Sequence, residues 1–176
     1  MIKIKIIDEE HSRDINIPNE PFQLFGRMVP SYINEKWQYD IVYSEQNEVS
    51  EMCFPDENYD YSAMKGHSVF VGAYDGEKCI ALAILQDAMF KYMYLYDLKV
   101  AKAYRCQGVA SALIEKSKEI CGERGYQGLY TQGQDNNLSA CKFYIKSGFY
   151  IGGFDSNVYK RTKQEGKSDI IFYLDI

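Results

Sequence analysis

The sequence has no run approaching the roughly 20 consecutive apolar residues that a membrane-crossing helix needs, so no transmembrane segment is expected. Its beginning, MIKIKIIDEE, alternates charged and apolar residues and lacks a small-residue cleavage site, so it does not read as a signal peptide. Cysteine is present but poorly placed for a structural role. The five residues, at positions 53, 79, 106, 121 and 141, are odd in number and widely spaced, with no Cys-x-x-Cys pair and no nearby pair of histidines. Neither disulfides nor a metal site is expected from that pattern. His11 and His67 lack the flanking partners that mark a catalytic base or a ligand, and are expected to be loop or exposed residues. Clustered positive charge is also missing: 20 Lys and Arg stand against 25 Asp and Glu, a formal net charge of -5. This argues against a nucleic-acid partner, since neutralising phosphates requires basic patches, and suits a cationic small molecule better. Internal repeats, low-complexity tracts and dividing linkers are absent as well. These absences leave a reduced, cytoplasmic protein forming a single domain over residues 1–176, with no membrane, nucleic acid or metal to bind.

What is present suffices for one core: 176 residues, 46% of them hydrophobic and 16 of them tyrosine. Residues 1–7 alternate Ile and Lys in the manner of a strand, and WQYDIVY at 37–43 has strand composition. The segment PNEPFQLFGRMVP at 18–30, with three prolines, is expected to be packed and only briefly helical. Residues 44–66 read as a long connection with little periodicity, and as a candidate substrate-facing segment because long loops in compact domains usually serve binding. The runs SVFVGAY (68–74) and KCIALAIL (78–85) flank Asp75-Gly76, a pair that predicts a type I′ hairpin turn. After a strand YMYLYDLKV at 92–100, the spacing predicts a helix from Val109 to Cys121 ended by Gly122 and Gly125. A strand GLYTQ, a helix from Asn137 to Lys146 stopped by Gly148, a strand FYIGGF and a closing strand DIIFYLDI complete the order. The last strand could pair across the edge of a homodimer. The pattern is that of an α/β domain with a mixed, largely antiparallel sheet.

The turn before the first long helix carries the first chemical signal. Tyr104-Arg105-Cys106-Gln107-Gly108-Val109-Ala110-Ser111 joins a strand to a helix whose first N–H groups have no partner within the helix. Gly108 and the small Ala110 let an anion approach the backbone, the helix dipole favours negative charge, and Arg105 can add a charge-assisted bond. The turn lacks the Lys-Ser/Thr ending of a P-loop and the glycine spacing of a dinucleotide fingerprint. By itself it is a helix start able to bind a pyrophosphate.

About thirty residues later stands Asn137-Leu-Ser-Ala140-Cys-Lys-Phe143-Tyr144-Ile-Lys-Ser-Gly148-Phe149. The two segments together resemble the acetyl-CoA signature of the GNAT N-acetyltransferase superfamily over residues 94–149, with Ala110 at a position that often holds Gly. Over nearly the whole chain, PNEPFQLFGRMVPSY, LYDLKV, TQGQDNNLSACKFYIKSGFYIGGFDSNVYK and the aromatic C-terminus are similar to the streptothricin acetyltransferases. The resemblance implies the GNAT fold, acetyl-CoA as acetyl donor, and direct transfer to an amino group on the β-lysine part of that cationic antibiotic. Other amines remain open as acceptors (a polyamine, an aminoglycoside, a protein N-terminus), as does a non-catalytic sensor of acyl-CoA.

The resemblance also implies roles. Leu98, Lys99 and Val100 present strand backbone to the pantetheine and thioester, while Arg105, Cys106, Gln107, Gly108, Val109, Ala110 and Ser111 hold the pyrophosphate. Leu98 and Val100 are equally core-packing residues. Tyr144 is expected to protonate the departing thiolate, against the reading that it is one more core tyrosine. Asn137 is either the N-cap of its helix or a cofactor contact. Asp97, the carboxylate preceding the cofactor strand end, is expected to bind the cationic amine or accept its proton, against a reading as a solvent-facing charge. Asp155 and Tyr159 are candidates for the acceptor side. Cys106 and Cys141 are expected to pack, since direct transfer needs no covalent enzyme intermediate.

Overall fold

The structure, a computed structural model, describes residues 1–176. In chain order its elements are β1 (Lys3–Ile6), β2 (Phe22–Leu24), β3 (Gly26–Ile33), β4 (Lys36–Tyr43), β5 (Ser50–Met52), a short helix α1 (Tyr61–Met64), β6 (Ser68–Asp75), β7 (Lys78–Gln86), β8 (Tyr92–Val100), α2 (Val109–Glu123), β9 (Gly128–Gln134), α3 (Leu138–Lys146), β10 (Tyr150–Asp155) and β11 (Asp169–Asp175). The α/β order and the mixed, mostly antiparallel strand pairing agree with the sequence reading. The chain folds into two compact units. The first comprises Met1–Glu20, Cys53–Leu129 and Ile176, and the second Pro21–Met52 and Tyr130–Asp175.

In the first unit the strands lie in the order β1-β6-β7-β8, each antiparallel to the next. β7 is apolar without alternation and Cys79 to Leu85 are all buried, the pattern of a strand covered on both faces. α2 packs on β6, β7 and β8 through Val109, Leu113, Ile114, Ile120 and Cys121. Each fully buried Val, Leu or Ile among them stabilises the fold by about 1.5–3 kcal/mol relative to exposure. Phe70, Tyr74, Leu82 and Ile84 form a further buried cluster with Ile7 and Ile15, against which Tyr59, Tyr61 and Met64 pack.

The expected hairpin forms, but its turn is displaced. Asp75 pairs with Lys78, so the two loop residues are Gly76 and Glu77, with positive φ at Gly76 (60°) and not at Glu77. A glycine leading a two-residue loop marks the II′ geometry, so the Asp-Gly pair does not make a type I′ turn here. Similarly, Gly122 lies inside α2, which runs on to Glu123 and stops where Tyr126 N–H bonds back to the Cys121 carbonyl at 2.9 Å beyond Gly125.

In the second unit β9, β11 and β10 are neighbours in that order. β11 is thus flanked on both sides, which removes the expectation that the closing strand offers a dimer edge; the edge strand here is β10. The proline-containing segment from Pro18 to Pro30 is not even briefly helical. It holds β2, which pairs with β5, and the first half of β3, whose partner is β4. Pro30 is tolerated because β3 belongs to a two-stranded ribbon, where a missing N–H leaves no central ladder broken. Asn34 and Glu35, at φ 50° and 62°, make the tight turn of that ribbon. α3 buries Leu138, Cys141 and Tyr144 and ends at Gly148, with Phe149 N–H donating to the Tyr144 carbonyl at 3.0 Å.

The connection at 44–66 is more structured than its composition suggests. It contains a turn of 3-10 helix at Gln46–Glu48, strand β5 and helix α1, whose N-cap Asp60 accepts the Ala63 N–H at 3.2 Å.

Candidate active site

The turn after β8 has the backbone geometry of an anion site. Cys106 and Gly108 have positive φ, 59° and 81°, so the chain reverses sharply into α2. Gly108 is the N-cap residue and caps nothing with a side chain; the first helical bond runs from Ala112 N–H to the Gly108 carbonyl at 3.0 Å. The N–H groups of Val109, Ala110 and Ser111 come before that bond at the positive end of the helix dipole. A Cβ built on Gly108 would meet no atom within 4 Å, so that flank of the turn is open to a ligand. Val109 is buried and anchors the turn, whereas Ser111 is exposed.

Arg105 and Gln107 stabilise the turn from inside. Arg105 donates from Nε to the Val100 carbonyl at 3.0 Å and from its NH2 group to the Glu20 carbonyl at 3.3 Å. Gln107 Nε2 donates to the Ala103 carbonyl at 2.8 Å. Arg105 thus ties the turn to β8 and to the N-terminal segment, Gln107 ties it to the residues just before it, and Glu20 further accepts the Lys102 N–H. Cys106 is exposed and does not pack, contrary to expectation, whereas Cys141 is buried with its thiol pushed up to about 12 by burial.

Just upstream, β8 carries a bulge that decides which way its charges face. Asp97 lies opposite Ile84 and Leu95 opposite Leu85, so Tyr96 is an extra residue with no partner on β7. Ile84 and Leu85 point to opposite faces; therefore Leu95 and Asp97 do too, although strict alternation would put them together. Asp97 and Lys99, opposite Ile84 and Leu82, emerge on the face that residues from the 44–66 connection cover.

There they meet Glu57 and Tyr59. Lys99 Nζ lies 2.6 Å from Glu57 Oε2 and 3.1 Å from Asp97 Oδ2, and its side chain is only 10% exposed. The Tyr59 hydroxyl donates to Asp97 Oδ2 at 3.1 Å, and Lys99 Nζ sits 5.5 Å from the centre of the Tyr59 ring. Tyr59 also packs edge-on against Tyr96. The segment is clamped by two asparagines. Asn16 exchanges two hydrogen bonds with the Tyr59 backbone, at 2.7 and 2.9 Å, and Asn19 Nδ2 donates to the Pro55 carbonyl and to Glu57 Oε2, both at 2.9 Å.

The charges in this cluster respond differently to it. Burial raises the Asp97 pKa despite the opposing pull of Lys99. Glu57 is pushed up by burial too, but hydrogen bonds from Lys99 and Asn19 outweigh it and hold the carboxyl below its ordinary value. Lys99 loses some basicity to burial and regains more from Asp97 and Glu57, ending above the usual lysine range. Two carboxylates around one ammonium leave one formal negative charge. Asp97 is therefore neither solvent-facing nor free: it is a half-neutralised carboxylate within an aromatic-lined group.

The second unit holds the remaining candidates. Tyr144 is 7% exposed and sits among the rings of Phe143, Phe149 and Phe172, at centroid distances of 5.7, 5.3 and 5.2 Å. Asn137 caps α3, its side chain accepting the Ala140 N–H at 3.3 Å. Asp155 Oδ1 accepts the Asn157 and Val158 N–H groups at 2.8 and 3.0 Å, which organises the turn after β10. Tyr159 donates to Asp169 Oδ1 at 2.8 Å, and its phenol is pushed up to about 12, by burial first.

Glu57, Tyr59, Asn16 and Asn19 went unnoticed as site residues in the sequence. The shared face of Asp97 and Lys99 was readable from their spacing. Glu57 was not, because it lies 42 residues from the lysine it binds and no periodicity links them.

The model for the acetyltransferase (GNAT) family matches residues 37–149. Streptothricin acetyltransferase A of Bacillus subtilis is 34% identical over 161 residues, covering 92% of each chain. Streptothricin acetyltransferase of Escherichia coli is 23% identical over 91% of this chain and 79% of its own. Among solved structures, a Bacillus anthracis protein assigned as a streptothricin acetyltransferase, in complex with acetyl coenzyme A, superposes with a TM-score of 0.88 at 26% identity over all of both chains. The strand and helix order, the turn into α2 and these matches together make the chain a member of the acetyltransferase (GNAT) family, with the GNAT fold and N-acetyltransferase activity.

Proposed function

We propose that the protein acetylates an amino group of streptothricin by direct transfer from acetyl-CoA, and so inactivates the antibiotic. The observation that carries the choice of a cationic acceptor is the group formed by Asp97 and Lys99 of β8 with Glu57 of the 44–66 connection, with its one uncompensated negative charge. The names of the B. subtilis and E. coli relatives support the particular antibiotic.

Bound acetyl-CoA supplies the acetyl group as an activated thioester. The residues present fit its pyrophosphate: the open flank of Gly108 and the N–H groups of Val109, Ala110 and Ser111 offer an anion the positive end of α2. In this reading Arg105 and Gln107 hold the turn in shape, and Leu98 to Val100 contribute backbone.

An amine reaches the enzyme mostly as an ammonium and must lose a proton before it can attack. Asp97 and Glu57 attract the ammonium, and Asp97, whose proton affinity burial has raised, accepts the proton directly or through water. Lys99, in contact with both, keeps the two carboxylates together. Tyr144 supplies a proton to the thiolate that leaves, a task for which a phenol is suited because it is protonated at neutral pH. Asn137 is assigned to capping α3.

The test is release of free thiol from acetyl-CoA on adding streptothricin, with spermidine, aminoglycosides and peptides as comparison amines. Streptothricin should be turned over with a kcat/KM well above the others. Preference for another amine would replace the acceptor, and acetyl-CoA binding with no thiol release from any amine would defeat the reading.

A further inference from the structure

The second unit contains buried hydrogen-bond acceptors that acetyl transfer, as described above, leaves unused. Gln134 closes β9 and is 7% exposed. Its Nε2 donates to Gln164 Oε1 at 2.7 Å, and its amide also bonds to the Tyr159 oxygen. Its own Oε1 is buried and has no donor. Asp169 opens β11, is 6% exposed, and its carboxylate receives one hydrogen bond, from the Tyr159 hydroxyl at 2.8 Å. One phenol thus joins the two: its hydrogen goes to Asp169 and its oxygen is met by the Gln134 amide.

No side chain supplies Asp169 with a positive charge. Arg27 is paired with Asp135, Nε to Oδ2 at 3.2 Å. Lys167 is held on Gln164 Oε1 at 3.0 Å and on Met52 Sδ at 3.2 Å. Asp155, opposite Asp169 in the ladder, adds negative field, and so does Asp135. A buried amide oxygen without a donor costs about 1–3 kcal/mol, and a buried carboxylate without a counter-charge costs more. In native proteins such groups are few, and each points to a functional role, an ion or an ordered water.

A single ligand that satisfies both groups brings positive charge and donates N–H bonds in more than one direction, to a carboxylate and to an amide oxygen. A guanidinium does both, with five N–H groups in a planar fork that matches a carboxylate. An ammonium concentrates its donors at one point. A metal ion fits poorly, because no group of three or more His, Cys, Asp or Glu side chains is arranged to hold one.

We infer that Gln134, Tyr159 and Asp169 form a binding site for a guanidinium-bearing small molecule. The test is titration of the full chain with methylguanidinium and, at matched ionic strength, methylammonium, followed by NMR shifts or calorimetry. Methylguanidinium should bind saturably and about tenfold or more tighter than methylammonium. Asp169→Asn, which keeps the shape and removes the charge, should abolish that binding, and Gln134→Leu, which removes the orphaned oxygen, should weaken it about tenfold. If circular dichroism shows that Asp169→Asn does not fold, Gln134→Leu carries the test. Equal affinity for methylammonium would overturn the ligand class. Absence of saturable binding, or binding unchanged in the folded variants, would overturn the site and leave the acceptors to water.

Discussion

Two stretches of the first unit adjoin in sequence and work by different physics. The turn from Arg105 to Ser111 is built mainly from local structure, two positive φ angles, a helix start and short-range bonds to Val100 and Ala103, with one long-range brace at Glu20. The group around Asp97 is built from side chains that come from far apart, with Glu57 and Tyr59 carried in by the 44–66 connection and fixed by Asn16 and Asn19. The first should tolerate changes at exposed side chains such as Ser111 better than the second tolerates loss of a charge. Under the proposed function, the first construction would serve the acetyl donor and the second the acceptor amine.

The largest effect is expected from Lys99→Met, which leaves Asp97 and Glu57 facing each other with no cation. Breaking a buried pair costs about 3–5 kcal/mol, so the urea midpoint should fall markedly while any acetyl-CoA affinity that survives in the folded fraction stays close to wild type. A midpoint within experimental error of wild type would show that the cluster is not coupled to folding. Next in size, Tyr144→Phe should retain acetyl-CoA binding and lower turnover at least about tenfold, the lower range for a lost general acid being about 10². Unchanged turnover would return Tyr144 to its aromatic neighbours as a packing residue only.

Gly108→Val tests the turn from the other side. A β-branched residue at φ 81° is strained by about 1–2 kcal/mol, so affinity for acetyl-CoA should fall about tenfold with the Asp97 group undisturbed. Retained affinity would mean that the turn does not need its left-handed residue. Asp97→Asn separates two contributions. With the amine it should raise KM while leaving acetyl-CoA affinity alone. In stability, the sign follows from the raised pKa: the folded protein holds the Asp97 proton more tightly than the unfolded chain does. Relative to Asp97→Asn, wild type should therefore lose stability as pH rises from the ordinary aspartate range through the raised value, read as a pH-dependent gap between urea midpoints. A gap that does not vary with pH would contradict the burial of the carboxyl. The smallest effect is that of Asn137→Ala, about 1 kcal/mol from loss of the α3 cap, with Asn137→Ser restoring most of it.

Much of the fold could be read directly where the period was clear. The β6–β7 hairpin, β8, α2, β9, α3, β10 and β11 were all anticipated, because a run of alternating or helically spaced apolar residues has few ways to bury itself. Local details moved: the hairpin turn centres on Gly76 and Glu77, and α2 passes through Gly122. The strands within 18–30 and 44–66 were missed because short two-stranded ribbons are held by pairing partners elsewhere in the chain, which composition does not reveal.

For the turn into α2, the sequence by itself determined the essential feature: a glycine-containing stretch between a strand and an amphipathic helix places a helix start whose first N–H groups can meet an anion, since that geometry is local. For Asp97 it determined only the residue. Which face that residue occupies was decided by the bulge at Tyr96, and what it touches was decided by Glu57, Tyr59 and Lys99. Both depend on contacts between segments distant in the chain, whose closure only the folded core makes favourable.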